Sequence, residues 1–180
     1  MKAFPFPDQI ESRNELRADI LYHRIPEADR ERICDLAWSR GAAAAEAILK
    51  KYPGKRMAEI AEEEGLSVAL VEKDAVNQVF RTFGEYDTAS GQMTLYLASI
   101  VKWARANGLS EETARELVMA HEFYHFLECT RLGMTSELYK IPLWRLGKWV
   151  LRSSGIRALS EIGAHGFART CFEASGVSAL

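Results

Sequence analysis

Two histidines separated by three residues are the feature of the sequence best suited to chemistry. Residues 121–125 read His-Glu-Phe-Tyr-His. In a helix, side chains four residues apart lie on one face, so His121 and His125 can direct their imidazoles at the same metal ion. Glu122 lies beside them and can take a proton from a water bound to that ion. The pattern predicts a zinc site at which an activated water hydrolyses a peptide bond.

A third ligand must come from elsewhere in the chain, because a catalytic zinc ion takes three protein ligands and keeps one position open. Glu161 is the favoured candidate: no Lys or Arg follows it at i+3 or i+4, so a helix-surface ion pair does not account for it. His165, on the same predicted helix face, is either an alternative ligand or a hydrogen-bond donor in the transition state. Glu128 is a further candidate ligand. The competing interpretation is a solvated helix surface that binds no metal.

Two helices are predicted to position these residues. Ser110 is a good N-cap, and Glu111 and Glu112 fall in the first turn, where the helix dipole favours negative charge. The first helix therefore begins at Glu111 and passes through the two histidines, ending between residues 128 and 131. The favoured third ligand falls on a second predicted helix, 158–174.

The rest of the chain predicts one α+β domain. Apolar residues recur at helical spacing in the N-terminal part, whereas alternation indicates strands in the middle. The other predicted helices cover 10–22, 26–51, 55–64, 98–107 and 141–152, and the predicted strands cover 66–71, 79–86 and 92–97. The turn-forming residues 87–91 join the last two strands into a hairpin. We expect a small, mostly antiparallel sheet packed on the motif helix, with further helices at both ends: residues 1–54 form a helical extension and 55–180 the catalytic core.

Four segments occur in an order that is similar to a known family. A helix and strand at 60–71 precede a hairpin at 84–96, then come Ala120–His125 (AHEFYH) and Glu161–Ala168 (EIGAHGFA). Over 57–173, about two-thirds of the chain, this arrangement resembles the ImmA/IrrE family of minimal zinc metallopeptidases. The last segment resembles the family's Glu-x-x-Ala-Asn-x-Phe-Ala segment, which carries the third ligand.

The resemblance implies a gluzincin type of site, with zinc held by His121, His125 and Glu161 and with Glu122 as the general base. It places Glu161 ahead of His165 as the third ligand, because His165 stands where the family usually has Asn. His165 is then expected to be a second catalytic residue. The resemblance also implies cleavage of a narrow set of intracellular regulatory proteins, often repressors.

Composition argues against other classes of function. Lys and Arg number 23 against 25 Asp and Glu, for a net charge of −2, so no positive field favours nucleic acid. No apolar stretch approaches the roughly 20 residues that span a bilayer, and the N-terminus lacks the apolar run of a signal peptide. Three scattered cysteines, Cys34, Cys129 and Cys171, predict no disulfide framework, which favours a cytoplasmic protein.

Three further segments carry alternatives. Residues 57–73 have helix-turn-helix spacing, which would suit a DNA-associated regulator, but the alternation in 66–71 and the acidic run 62–64 argue against it. Residues 144–152 are basic and aromatic; we expect them to pack as an amphipathic helix rather than to lie on a membrane. Strand 93–97 is a candidate edge for pairing with an extended substrate. The main rival to a peptidase is a non-catalytic, metal-binding scaffold that binds a partner.

Overall fold

The computed structural model of the chain describes residues 5–78, 80–146 and 149–175, apart from the side chains at 145, 146 and 149–151. Six α-helices and seven β-strands lie in these segments, so the fold is of the α+β class, as the sequence predicts. Within the same segments, no helix is both long enough and apolar enough to span a membrane.

Most helices begin and end close to their predicted positions. They are α1 (Arg13–Ala18), α2 (Glu27–Lys51), α3 (Met57–Glu63), α4 (Leu97–Asn107), α5 (Glu111–Leu127) and α6 (Ala158–Ala174). α1 is shorter than predicted, because the chain leaves it for a 3₁₀ turn at Tyr22–Arg24. The predicted cap of α5 is confirmed: Ser110 Oγ accepts a hydrogen bond of 3.0 Å from the Thr113 N–H. Beyond α5, Glu128–Leu132 continues as a wider π turn.

The strands form one mixed three-stranded sheet and two antiparallel pairs. They are β1 (Ser67–Val71), β2 (Ala75–Asn77), β3 (Phe80–Thr82), β4 (Gly84–Asp87), β5 (Gln92–Tyr96), β6 (Lys140–Leu146) and β7 (Trp149–Gly155). The sheet has the order β1-β5-β4, in which β1 runs parallel to β5 and β4 runs antiparallel to it. β2 pairs with β3, and β6 with β7. Three of the four strand pairs described are therefore antiparallel, as predicted.

Two predictions about the central strands are wrong. The segment 79–86 is not one strand, because residues 80–82 pair with β2 and residues 84–87 pair with β5. Phe83 stands between them and packs on the core, so the chain changes partner at this residue. β5 is not an edge, because Met93 pairs with β1 on one side and β4 on the other. An extended substrate cannot add to β5; the edge of this sheet that contacts α5 is β4.

The predicted helix 141–152 is also wrong, because this segment contributes to the hairpin of β6 and β7. Leu146 pairs with Trp149 in this hairpin, and residues 147 and 148 of the predicted helix lie outside the described part of the chain. The cross-strand pairs of this hairpin, such as Ile141 with Ser154, outweigh the helical spacing seen in the sequence. Trp144 is 70% exposed, so the expected packing of this residue is wrong too. The side chain of Trp149 lies outside the part of the chain that is described.

Helices α2 and α6 pack almost backbone to backbone, and this contact fixes the helix that carries Glu161. A Cβ added to Gly41 of α2 would stand 1.9 Å from the Gly163 carbonyl oxygen of α6. A Cβ on Gly166 would stand 2.5 Å from the Trp38 carbonyl oxygen. Only residues without side chains allow this approach. On its other side α6 packs on α5, where aromatic rings from both helices fill the core.

Candidate metal centre

The two histidines of the motif face each other on α5, with ring nitrogens close enough to share one ion. His121 Nε2 and His125 Nε2 are 3.3 Å apart. Both side chains are mostly buried, with 12% and 19% of their surface exposed. Glu161, in the first turn of α6, brings one carboxylate oxygen to 3.3 Å from His121 Nε2 and the other to 3.7 Å from His125 Nε2. The structure therefore brings together the three residues predicted as metal ligands.

The spacing of these donor atoms fits a tetrahedral ion. Zinc bonds of about 2.0–2.1 Å at tetrahedral angles place neighbouring ligand atoms about 3.3 Å apart. His121 Nε2 lies 3.3 Å from His125 Nε2 and 3.3 Å from one carboxylate oxygen of Glu161. Two imidazoles and one carboxylate also leave the fourth position open, as in catalytic zinc sites. The same ligands suit other divalent ions, so this donor set defines a candidate metal site without selecting the metal.

Glu128 orients His125 and does not join the ligand set. Its Oε2 atom is 3.1 Å from His125 Nδ1, the ring nitrogen that does not face His121. An ionised carboxylate only accepts hydrogen bonds, so Nδ1 carries the hydrogen and Nε2 keeps its lone pair for a metal. The other oxygen of Glu128 accepts from the Thr135 N–H at 2.6 Å and the Ser160 hydroxyl at 3.0 Å. The sequence alternative of Glu128 as third ligand is therefore wrong.

Charges in the site favour ionised carboxylates around the histidines. Burial opposes ionisation of Glu128, but hydrogen bonds from His125 and Thr135 hold its pKa below the usual value. Burial likewise opposes ionisation of Glu161, yet the hydrogen bond from His121 and the charges of nearby histidines lower its pKa to about 2. Burial lowers the pKa of His125, but Glu128 and the other carboxylates raise it overall. Glu161 is thus a carboxylate at neutral pH, the form that binds metals.

Glu122 lies beside the ligand cluster and against the sheet. Only 8% of its surface is exposed. Strand β4 passes so close that a Cβ on Gly84 would stand 2.9 Å from Glu122 Cγ. Burial raises the pKa of the Glu122 carboxyl, against the opposing effect of the two histidines on the same helix. A carboxylate whose pKa is raised accepts a proton more readily, which is the property that a general base requires.

His165 lies next to the cluster and is not one of its members. Its ring centroid is 5.3 Å from that of His121, and 6% of the residue is exposed. Its Nδ1 is 3.3 Å from the Ser12 hydroxyl, which belongs to the N-terminal part of the chain. Burial, followed by repulsion from His121, lowers the pKa of His165 to about 3. At neutral pH this side chain is therefore a neutral imidazole that can donate one hydrogen bond.

Residues near the N-terminus reach the site, which the sequence did not indicate. The ring of Phe6 stacks on His121, with centroids 5.6 Å apart and planes inclined by 15°, and lies 5.7 Å from the ring of His165. The carboxyl of Glu15 is close enough to Glu161 that burial and this negative charge both raise its pKa. We call residues 5–19 the N-terminal strap. No local pattern relates these residues to a motif more than a hundred positions away.

Comparison of the chain with protein-family models, with curated proteins and with solved structures found no match. The fold and the site place the chain among α+β proteins with a candidate metal site, in which helices α5 and α6 hold a His-His-Glu cluster that could bind a metal ion. The resemblance to the ImmA/IrrE family stays a prediction that rests on the sequence motifs.

Proposed function

We propose that this protein is a zinc-dependent metallopeptidase. The observation that carries the proposal is the arrangement of His121, His125 and Glu161, which each offer one donor atom within 4.8 Å of the others, beside the buried carboxyl of Glu122. Glu128 also holds His125 in the tautomer whose Nε2 can bind a metal, and a chance cluster of two histidines and a glutamate would not need this partner. The resemblance to ImmA/IrrE metallopeptidases agrees with this interpretation.

The residues of the site divide the work of peptide hydrolysis among them. Zinc held by His121, His125 and Glu161 would supply Lewis acidity to the site. Glu122 accepts a proton from the attacking water and returns it to the leaving amine, a task suited to its raised pKa. His165, held neutral by burial, donates a hydrogen bond to the oxygen of the scissile carbonyl as negative charge develops there.

The proposed substrates are a narrow set of intracellular regulatory proteins, and the proposed location is the cytoplasm. The substrate class follows from the resemblance alone. The location is supported by Cys34, Cys129 and Cys171, all of which are free thiols and so suit a reducing compartment. The DNA-associated alternative loses its basis, because residues 67–71 form a strand where a helix-turn-helix would need a helix.

Metal analysis and two variants test the proposal. The purified protein should contain one zinc ion per chain, and His121→Ala should lose it. Glu122→Gln should keep the zinc and lose hydrolysis of a random decapeptide library followed by mass spectrometry. Glu112→Gln, an exposed position on the same helix, is the matched control and should behave as wild type.

Two results would argue against the proposal in different ways. A protein that binds no divalent metal would remove the metal site altogether. The non-catalytic scaffold would be favoured if the zinc-loaded wild type and Glu122→Gln showed the same peptide hydrolysis and bound a partner protein equally well.

A further inference from the structure

The N-terminal strap lies across the candidate metal centre and contacts two histidines of the site, His121 and His165. Phe6 packs its ring against both His121 and His165, at centroid distances of 5.6 and 5.7 Å. The ring also contacts Trp103 of α4, at 5.1 Å. A flat apolar side chain is thus held against two imidazoles that a substrate must approach.

Polar contacts hold the strap onto the helix that carries Glu161. Ser12 is fully buried and its hydroxyl lies 3.3 Å from His165 Nδ1. Asp19, at the other end of the strap, accepts a hydrogen bond of 3.1 Å from the Ala158 N–H at the start of α6. Between them, Leu16 of α1 is 2% exposed and packs into the core formed with α2 and α6. The strap is therefore seated along the first two turns of α6.

The outer contacts of the strap are of a kind that can be released. Its ion pairs, from Arg13 to Glu31 and Asp35, are partly exposed to solvent, where such pairs stabilise weakly. The Glu15 carboxyl sits near Glu161, so the strap brings a second negative charge toward the ligand cluster. The end of the strap that carries Phe6 thus competes with the approach of other groups, whereas the buried residues Ser12 and Leu16 anchor the rest of it.

Resting on the metallopeptidase function proposed above, we propose that the N-terminal strap is autoinhibitory. Phe6 occupies the place of a large apolar substrate side chain and slows hydrolysis, and substrates gain full access to the metal when the end of the strap that carries Phe6 is displaced. The chemistry of Phe6 also identifies the substrate: the residue that replaces it beside His121 and His165 is aromatic or large and aliphatic, because the surface offered to Phe6 consists of ring faces.

Variants of the whole chain test this inference through two measurements of access to the metal, zinc removal and hydroxamate binding. In zinc-loaded protein, Phe6→Ala should shorten the half-life of zinc removal by EDTA at least tenfold. In the background of Glu122→Gln, Phe6→Ala should also lower the Kd for N-acetyl-phenylalanine hydroxamate at least tenfold. Phe80→Ala removes a phenylalanine that is 74% exposed on β3, and this control should change neither quantity.

A second variant keeps Phe6 and loosens the strap from its other end. Asp19→Ala removes the acceptor for the Ala158 N–H and should change zinc release and hydroxamate binding in the same direction, by a smaller factor. Zinc-loaded variants that are folded and match the wild type in both measurements would overturn the autoinhibitory strap and leave the peptidase proposal standing. Failure of the wild type and of Phe6→Ala to bind zinc would instead overturn the proposed function and the strap with it.

Discussion

Replacing Glu128 should weaken metal binding although this residue is not a ligand. Glu128→Gln keeps the size of the side chain and one acceptor oxygen, which can still serve the Thr135 N–H and the Ser160 hydroxyl. Its NH₂ group would then face His125 Nδ1, a position now taken by an acceptor. Two donors cannot pair, so the imidazole is driven to carry its hydrogen on Nε2, where no lone pair is left for a metal.

The expected size of the effect follows from these contacts. Loss of a carboxylate partner behind a ligating histidine lowers metal affinity about 10- to 100-fold, or about 1.4–2.7 kcal/mol. Stability of the metal-free protein should fall by about 1–2 kcal/mol, because two hydrogen bonds to a charged acceptor become bonds to a neutral one. Glu128→Ala should lower stability further, because Glu128 is only 1% exposed and both Thr135 and Ser160 would lose a buried hydrogen-bond partner.

Two separate measurements distinguish the effects. Competition with a coloured chelator gives the zinc affinity of Glu128→Gln, and urea unfolding of the metal-free form gives its stability. Glu112→Gln, at the exposed N-terminus of the same helix, provides the baseline for both. A folded Glu128→Gln protein with the zinc affinity of the wild type would show that the tautomer of His125 does not depend on this carboxylate.

Two further predictions concern the scaffold. Gly41→Ala should lower the free energy of unfolding by about 1–3 kcal/mol, because its Cβ would meet the Gly163 carbonyl, whereas Ala43→Ser on the exposed side of α2 should change it by less than about 0.5 kcal/mol. The hydrogen bond from Arg131 is the main cause that lowers the pKa of Glu64 to about 2. The ionised Glu64 carboxylate therefore stabilises the folded state fully above about pH 4.5, and this contribution is lost as the pH falls toward 2. Glu64→Gln should therefore cost about 2–3 kcal/mol at neutral pH and little near pH 2, measured by urea unfolding; an equal loss at both pH values would contradict this assignment.

Local signals account for the parts of the fold and site that could be predicted. Ser110 marks the start of α5 through its own side-chain hydrogen bond, and Gly108 ends α4 in the left-handed conformation. The i, i+4 spacing of His121 and His125 places their donors together once the helix is known. Glu161 could be found by its chemistry, since a third ligand was required and this acid had no other partner in sequence.

Long-range contacts explain what the sequence did not indicate. Ser12 and His165 are 153 residues apart in sequence, and nothing in either neighbourhood marks them as partners. Glu128 is an alternative third ligand in the sequence, but its contact with Nδ1 of His125 depends on the direction of the ring, which the sequence does not show. In β6 and β7 the apolar spacing resembles that of a helix, and the cross-strand pairing that holds the segment as a hairpin is not visible in local spacing.

Gly163 has a consequence for how this centre can vary. A methyl group on this residue would stand 2.7 Å from the phenol oxygen of Tyr124, and the carbonyl of the same residue abuts the opposite helix at Gly41. Any larger residue would have to tilt the helix, and the carboxylate of Glu161, two positions earlier, would swing away from the imidazoles. Metal affinity is thus expected to be sensitive to a position that coordinates nothing. A search for related centres should look for a glycine at this position as well as for the ligands themselves.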